Sequence, residues 1–239
     1  MGQVPSLSTA PLGIVGDGRV ARHFHHYFDL LSLPVRGWSR RAPHRSPVEA
    51  LAPCDTVLVL IADSAIEPFI AAWWPLTRHR LVHCSGSLVT SAAECAHPLM
   101  TFGPDLYDLA TYQSIPFVLD TGGTPFHELL SGLPNPSFTI AASDRPAYHA
   151  HCVMAGNFSI LLWRKLFDYL GGRLGIPESA AHPFLMQTTR NLMADGSGAL
   201  TGPLVRGDAA TIAANLTALE GDPFRDVYSA CARAYARRQ

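Results

Sequence analysis

Lysine is almost missing from this chain. Lys165 is the only one, and arginine carries the remaining positive charge. Charged residues of either sign are scarce too, at 15% of 239 residues, with a formal net charge of -1. This balance excludes a globally basic nucleic-acid binder and an acidic disordered chain. A lone lysine in an arginine-rich chain reflects composition and does not by itself mark a catalytic amine. The five cysteines, Cys54, Cys84, Cys95, Cys152 and Cys231, form no C-x-x-C pair. A zinc ribbon and a redox dithiol are thereby excluded, and free thiols in a reducing compartment are expected. The start, MGQVPSLSTAPLG, lacks the basic region and apolar run of a secretory signal. Met1-Gly2 with Ser6 fits a loose myristoylation pattern, read here as chance. No apolar run approaches the roughly 20 residues needed to span a bilayer. The expectation is a soluble, cytoplasmic protein with no nucleic-acid or membrane partner.

Apolar residues are plentiful, at 48%, enough for one large core or two small ones. Leu12 to Val15 is a short apolar strand that runs into a glycine loop, and a helix is predicted from about Arg19 to Leu31. Strands are predicted at 33–38, 56–61 and 80–84, with a helix over 66–74. The run Thr56 to Ile61 is apolar on both faces, as a parallel strand covered on both sides should be. Alternating strands and helices with short connections imply an α/β fold, a Rossmann-type doubly wound and mainly parallel sheet. Further strands are predicted at 115–119 and 137–141, with a helix between them over 124–131. After Asp144 strand alternation stops, and helical pattern follows at 179–193, 209–219 and 223–237, the second of these capped by Asp208. The expected division is residues 1–143 as a dinucleotide-binding domain and 144–239 as a smaller all-helical domain.

The loop Gly16-Asp17-Gly18-Arg19-Val20-Ala21 has the G-x-G-x-x-A form. The first small residue permits a sharp turn, the second lets the backbone approach a pyrophosphate, and the third lets the helix pack on the sheet. Backbone N–H groups at the helix start then face the phosphates. A cation in a first helical turn is unfavourable against the helix dipole. Arg19 therefore either meets phosphate or is a solvated surface arginine. NAD enzymes usually place an acid at the end of the second strand to hold the ribose hydroxyls. Here the strand ends Gly37-Trp38-Ser39-Arg40-Arg41, and no acid occurs between Asp29 and Glu49. Ser39, Arg40 and Arg41 suit a 2′-phosphate through charge-assisted bonds, so NADP is the expected cofactor.

These residues resemble the Rossmann-like proteins that carry a C-terminal domain called DUF2520. The markers are GIVGDGRVA (13–21), VLIADSAI (59–66), HCSGSL (83–88), AHPLMTF (96–102), the segment from Tyr148-His149-Ala150 to Asn157, and LTGPLVRGD (200–208). More distantly the chain is similar to pyrroline-5-carboxylate reductases, ketopantoate reductases and F420-dependent NADP oxidoreductases. The resemblance covers nearly the whole chain and implies an NADP-dependent oxidoreductase that dimerises through its helical domain. It departs from the pattern at Gly156, where these proteins usually carry a serine before the asparagine, and the chain is shorter than many relatives.

Ligands of open α/β sheets bind beyond the carboxyl ends of the strands. Ala62-Asp63-Ser64 follows the third strand, where Asp63 either flanks the cofactor ribose or caps the next helix. Ser85-Gly86-Ser87 follows the fourth, where Ser85 either bonds a small-molecule substrate or serves the turn. His97, before Pro98, either supplies a proton during hydride transfer or bonds to backbone. The resemblance adds Asn157, since in related reductases a polar residue of this helix reaches the substrate. Lys165 lies about 12 Å further along an ideal helix, too far to pair with Asn157. His23, His25 and His26 do not share one helix face, so no metal site is expected. The expected activity is hydride transfer to or from a small carbonyl or imine compound. The alternative from another class is a non-catalytic NADP-binding sensor or regulatory module. Reduced F420 as a second cofactor is a third option that no residue requires.

Overall fold

The computed structural model describes residues 10–41, 45–74, 79–196 and 198–237. The Met1-Gly2-Ser6 pattern lies outside them. Seven strands form one sheet. They are β1 (Leu12–Val15), β2 (Val35–Trp38), β3 (Thr56–Val59), β4 (Arg80–His83), β5 (Glu94–Pro98), β6 (Phe117–Asp120) and β7 (Ser137–Ile140). Their order is β2-β1-β3-β4-β5-β6-β7, parallel throughout except for antiparallel β5 and β6. The order reverses at β1, between β2 and β3, so the loop after β1 opens into the crevice where such sheets bind ligands.

Helices α1 (Arg19–Leu30), α2 (Pro47–Ala50), α3 (Asp63–Trp73), α4 (Leu109–Ser114) and α5 (Phe126–Leu129) join the strands. Strand alternation divides the apolar side chains between two layers. Leu12, Ile14 and Leu58 pack with Ala21, Phe24 and Phe28 of α1 and with Tyr112 of α4. Val15, Val57 and Val59 face the other way, onto Ile66 and Ile70 of α3. Every residue of β1 and of β3 is buried, as a strand covered on both faces requires.

Two elements depart from the sequence expectation. The segment 94–98 is a strand, because β5 pairs with β4 on one side and β6 on the other. Its composition, Glu-Cys-Ala-His-Pro, carries no strand signal of its own. Helix α3 begins at Asp63 rather than near Ile66, and its N-cap is Ala62.

No strand follows Ile140 among the described residues. The later helices are α6 (Arg145–Val153), α7 (Ser159–Tyr169), α8 (His182–Ala194), α9 (Pro203–Arg206), α10 (Ala209–Ala218) and α11 (Phe224–Ala236). A π-helical turn, Met154–Phe158, joins α6 to α7. Asp208 caps α10 by accepting from the Thr211 N–H. Contacts divide the chain into compact units at Ser159/Ile160, so α6 belongs with the sheet. Arg145 explains why: it is fully buried, and it bonds Asp120 and the Val118 carbonyl of β6. In the second unit Lys165 pairs with Asp222 and lies 5.2 Å over the Phe224 ring, which gives the lone lysine a structural role. Among the described residues, no helix is long and apolar enough to cross a membrane.

Candidate functional site

A cleft of about 500 Å³ runs along the carboxyl ends of β1 to β4. It is lined by Gly16, Asp17, Gly18, Arg19, Val20, Ser39, Arg40, Arg41, Ala62, Asp63 and Ser85, among others. The structure thus gathers every sequence-predicted cofactor residue into one concavity, together with Ser85.

The outer end is set by Gly16. Its N–H donates to the Trp38 carbonyl at 2.8 Å, which ties the loop to the end of β2. Its φ is +117°, and a Cβ there would lie 2.3 Å from the Leu60 carbonyl oxygen. Only glycine satisfies both conditions. A Cβ on Gly18 would meet nothing within 4 Å, so this stretch of loop is open to a ligand. Arg41 Nε lies 3.4 Å from an Asp17 carboxylate oxygen and is mostly exposed. Arg19 turns its guanidinium to the Phe102 carbonyl, at 3.4 Å. Trp38 and Phe69 pack with ring centroids 5.6 Å apart. The residues present fit a 2′-phosphorylated dinucleotide: open backbone at the loop, two arginines and a serine beyond β2, and no carboxylate on β2.

The inner end is built differently. Ser85 is buried, and its hydroxyl donates to Asp63 Oδ2 at 2.5 Å. The Ser85 Oγ itself accepts from the Ser87 and Leu88 N–H groups. Its hydrogen-bonding capacity is therefore used within the protein. Asp63 does not cap α3 through its side chain; it anchors the loop after β4 instead. His83 Nδ1 accepts from the Ser85 N–H. Burial, then the Arg145 charge, push the His83 imidazole down to about 4. His97, on β5, is likewise pushed down to about 4, by burial first and then by His149 and Arg145. Both rings are neutral at neutral pH.

Three residues at this end went unassigned in the sequence. Tyr148, on α6, has its hydroxyl 2.8 Å from His97 Nδ1. His149 lies with its ring 6.2 Å from that of His97. Gly86 is where the two histidines converge: a Cβ there would lie 2.4 Å from His149 Cδ2 and 2.9 Å from His97 Nε2. Tyr148 and His149 stood among the family markers without a role, and their distance in sequence from His97 hid the contact. Asn157 is exposed on the π-helical turn, and neither it nor His97 is among the described residues lining the cleft, so that of the three expected substrate-site residues Ser85 alone lies in it.

A mainly parallel sheet with a glycine loop at its reversal point and a cleft beyond its strand ends defines a Rossmann-type fold. Residues 122–235 match the model of the DUF2520 family, a domain of unknown function, as the sequence markers implied. Among solved structures, a Bacteroides fragilis protein described provisionally as an NADP oxidoreductase is 20% identical. It aligns over 95% of this chain and 97% of its own, with a TM-score of 0.75. A Thermotoga maritima protein is 23% identical over 95% of this chain and 97% of that one, with a TM-score of 0.70. A reductive aminase from Aspergillus terreus, in complex with NADPH and ethyl levulinate, is 14% identical. It covers 96% of this chain and 93% of its own, with a TM-score of 0.63. At these identities the likeness is one of fold. No curated protein matches the chain.

Proposed function

We propose that the chain is an NADP-dependent oxidoreductase that transfers a hydride to or from a small carbonyl or imine compound. The observation that carries this reading is the cleft itself: it runs from an open glycine loop, flanked by Ser39, Arg40 and Arg41, to Ser85. NADPH, when bound there, supplies the hydride. Gly16 makes the turn, the N–H groups from Asp17 to Val20 would hold the pyrophosphate, and Ser39, Arg40 and Arg41 would hold the 2′-phosphate. Ala62 and Asp63 flank the inner ribose. Ser85 acts by anchoring Asp63 and the loop rather than by spending its engaged hydroxyl on substrate. His97, as a neutral imidazole, polarises the carbonyl oxygen or imine nitrogen, and solvent supplies the proton that completes the product. Asn157 is the candidate for orienting the far side of the substrate. It lies nine positions beyond Tyr148, roughly 13 Å along a helix, so the two cannot meet one small group.

Titration of the full chain with NADPH and NADH tests the cofactor. Mixing with keto acids, aldehydes and cyclic imines, followed by nicotinamide absorbance, tests the chemistry. Tighter binding of NADPH than NADH, with turnover that His97→Ala lowers far more than it lowers NADPH affinity, is expected. Equal binding of the two cofactors overturns the NADP reading. Binding without turnover on any compound leaves the sensor module in its place. We infer also that a homodimer forms through the helical region 144–239, chiefly through residues 160–239. Among their described residues Ala181 is the only buried apolar side chain, while Phe184, Leu192 and Met193 are exposed. Sedimentation showing a monomer at micromolar concentration would remove that inference.

A further inference from the structure

We propose that His23 is a positioning residue for the cofactor cleft. It docks residues 101–107 onto α1 as a strap, and the strap holds the Arg19 guanidinium at the cleft, ready for a phosphate of the dinucleotide. The proposal rests on the reading of the cleft as a dinucleotide site, and it gives the Arg19 side chain a purpose.

The strap lies between β5 and α4, and the groups themselves set the directions of its bonds. The Gly103 carbonyl can only accept, so His23 Nε2, 3.0 Å away, carries a proton and donates it. The Tyr112 hydroxyl accepts from the Tyr107 N–H at 3.2 Å and lies 2.8 Å from His23 Nδ1. In the neutral ring Nδ1 is an acceptor, and it takes the one phenolic proton of Tyr112. The Gly103 N–H donates to the Tyr107 hydroxyl at 2.8 Å, and that hydroxyl donates to the Thr101 carbonyl at 2.6 Å. His23, Gly103, Tyr107 and Tyr112 are thereby joined in a closed ring. His23 and Tyr112 are buried, so opening the ring leaves polar groups unpaired away from water, which is costly.

The ring reaches the cleft through α1. Arg19 and His23 stand four positions apart, one above the other on one helix face, and they meet consecutive carbonyls of the strap. Arg19 Nη1 donates to Phe102 at 3.4 Å, and His23 donates to Gly103. The Phe102 ring packs 4.9 Å from that of His23. A void of only about 10 Å³ remains beneath, so the strap is packed down as well as bonded. Arg19 itself is exposed and lines the cleft beside Gly18. Its bond to Phe102 engages one of five guanidinium N–H groups. A long side chain that is already held loses less freedom when it meets an anion. A cation in the first turn of a helix also needs such a partner, because the helix dipole opposes it.

The test sets strap variants against Arg19 in the full chain, titrated with NADPH and followed by nicotinamide fluorescence. Arg19→Gln is expected to weaken NADPH about tenfold, the worth of one charge-assisted bond. Tyr107→Phe keeps the ring, lies outside the cleft, and opens the strap by removing one hydroxyl. It and His23→Ala should each weaken NADPH about threefold to tenfold, the cost of ordering one long side chain. Adding Tyr107→Phe to Arg19→Gln should cause no further loss, because the strap acts through Arg19. A merely structural role would lower the urea midpoint and leave this cycle additive. Additive losses overturn the proposal, and so does wild-type affinity in both strap variants. Failure of the wild-type chain to bind NADPH would instead count against the oxidoreductase reading. The hold on Arg19 is then read without ligand from its ¹⁵N guanidinium signal, assigned by its loss in Arg19→Lys. That group should be ordered in wild type and mobile in Tyr107→Phe, and equal mobility in the two overturns the proposal.

Discussion

At the glycine-loop end of the cleft, the groups are exposed, charged and close together in sequence. Gly16 to Arg19 and Ser39 to Arg41 supply nearly all of them, and Arg41 meets Asp17 at the protein surface. Around Ser85 the groups other than the exposed Asp63 are buried or half-buried, mostly uncharged, and the set is drawn from α3, β4, β5 and α6. On the proposed reading, the first arrangement selects a ligand by charge, an attraction that salt screens. The second works through the geometry of a few hydrogen bonds in a poorly solvated setting, where each is stronger and each loss costs more. One cleft therefore carries a binding end that tolerates movement and an inner end that does not.

The sharpest way to break the outer end is Gly16→Ala. The methyl group would have to occupy space 2.3 Å from the Leu60 carbonyl oxygen, at a φ of +117°. Both faults lie in backbone, so neither can be relieved by a side-chain rotation. The expected cost is about 3 kcal/mol of stability, read from the urea midpoint, together with loss of measurable NADPH binding. A variant that binds NADPH as wild type does would remove the glycine loop from the site.

Acid should weaken the inner end next. His83 and His97 are both held near a pKa of about 4 in the folded chain, against about 6.5 when unfolded. Their neutral forms are favoured by folding, so their contribution is complete above pH 6.5. As pH falls toward 4 the unfolded chain takes up protons that the folded chain refuses, and stability drops by a few kcal/mol. Urea midpoints measured from pH 7 to pH 4 should fall, and His97→Gln should flatten part of that fall. Midpoints that stay level over the range would mean that the two rings are not held neutral.

The same contrast explains what could be read in the sequence. The outer end is legible because a glycine turn at a strand end and a missing acid are local facts, visible within residues 13–41. Helix α1 and strands β1 and β3 were legible for a similar reason: their apolar periodicity matches the layers they face. The inner end was not. β5 is a strand through its pairing with two neighbours and not through propensity. Asp63 had a nearby helix to cap, yet it bonds Ser85, 22 positions away. Tyr148 and His97 are 51 positions apart. Arg145 opens the helical stretch in sequence, but its burial beneath β6 keeps α6 with the sheet. Such contacts belong to tertiary packing, on which single-segment patterns are silent.

Removing charge at the outer end gives a smaller, more specific effect. Replacing Arg40 and Arg41 together with glutamine should weaken NADPH by roughly tenfold to thirtyfold, the worth of one strong charge-assisted bond or a little more. NADH, which has no 2′-phosphate, should be unaffected. The salt dependence of NADPH binding should become shallower. An equal loss for both cofactors would place these arginines on the pyrophosphate instead, and the choice of NADP would lose its support.

The least of these effects tests whether the two ends are joined. Asp63 lines the cleft and also accepts the Ser85 proton, so it belongs to both. Asp63→Asn keeps the shape and an acceptor oxygen but loses the charge that shortens the bond. The expected cost is about 1 kcal/mol in stability, with NADPH affinity nearly unchanged. If the Ser85 loop transmits this loosening, the effect should appear in turnover, because Gly86 and its contact with His97 follow directly in the chain. Ser85→Ala removes the same bond from the other side and also frees the Ser87 and Leu88 N–H groups. The double variant should therefore cost less than the sum of the singles. Strict additivity in turnover would mean that Asp63 and Ser85 act on the inner end separately, and that the loop after β4 does not couple cofactor binding to His97.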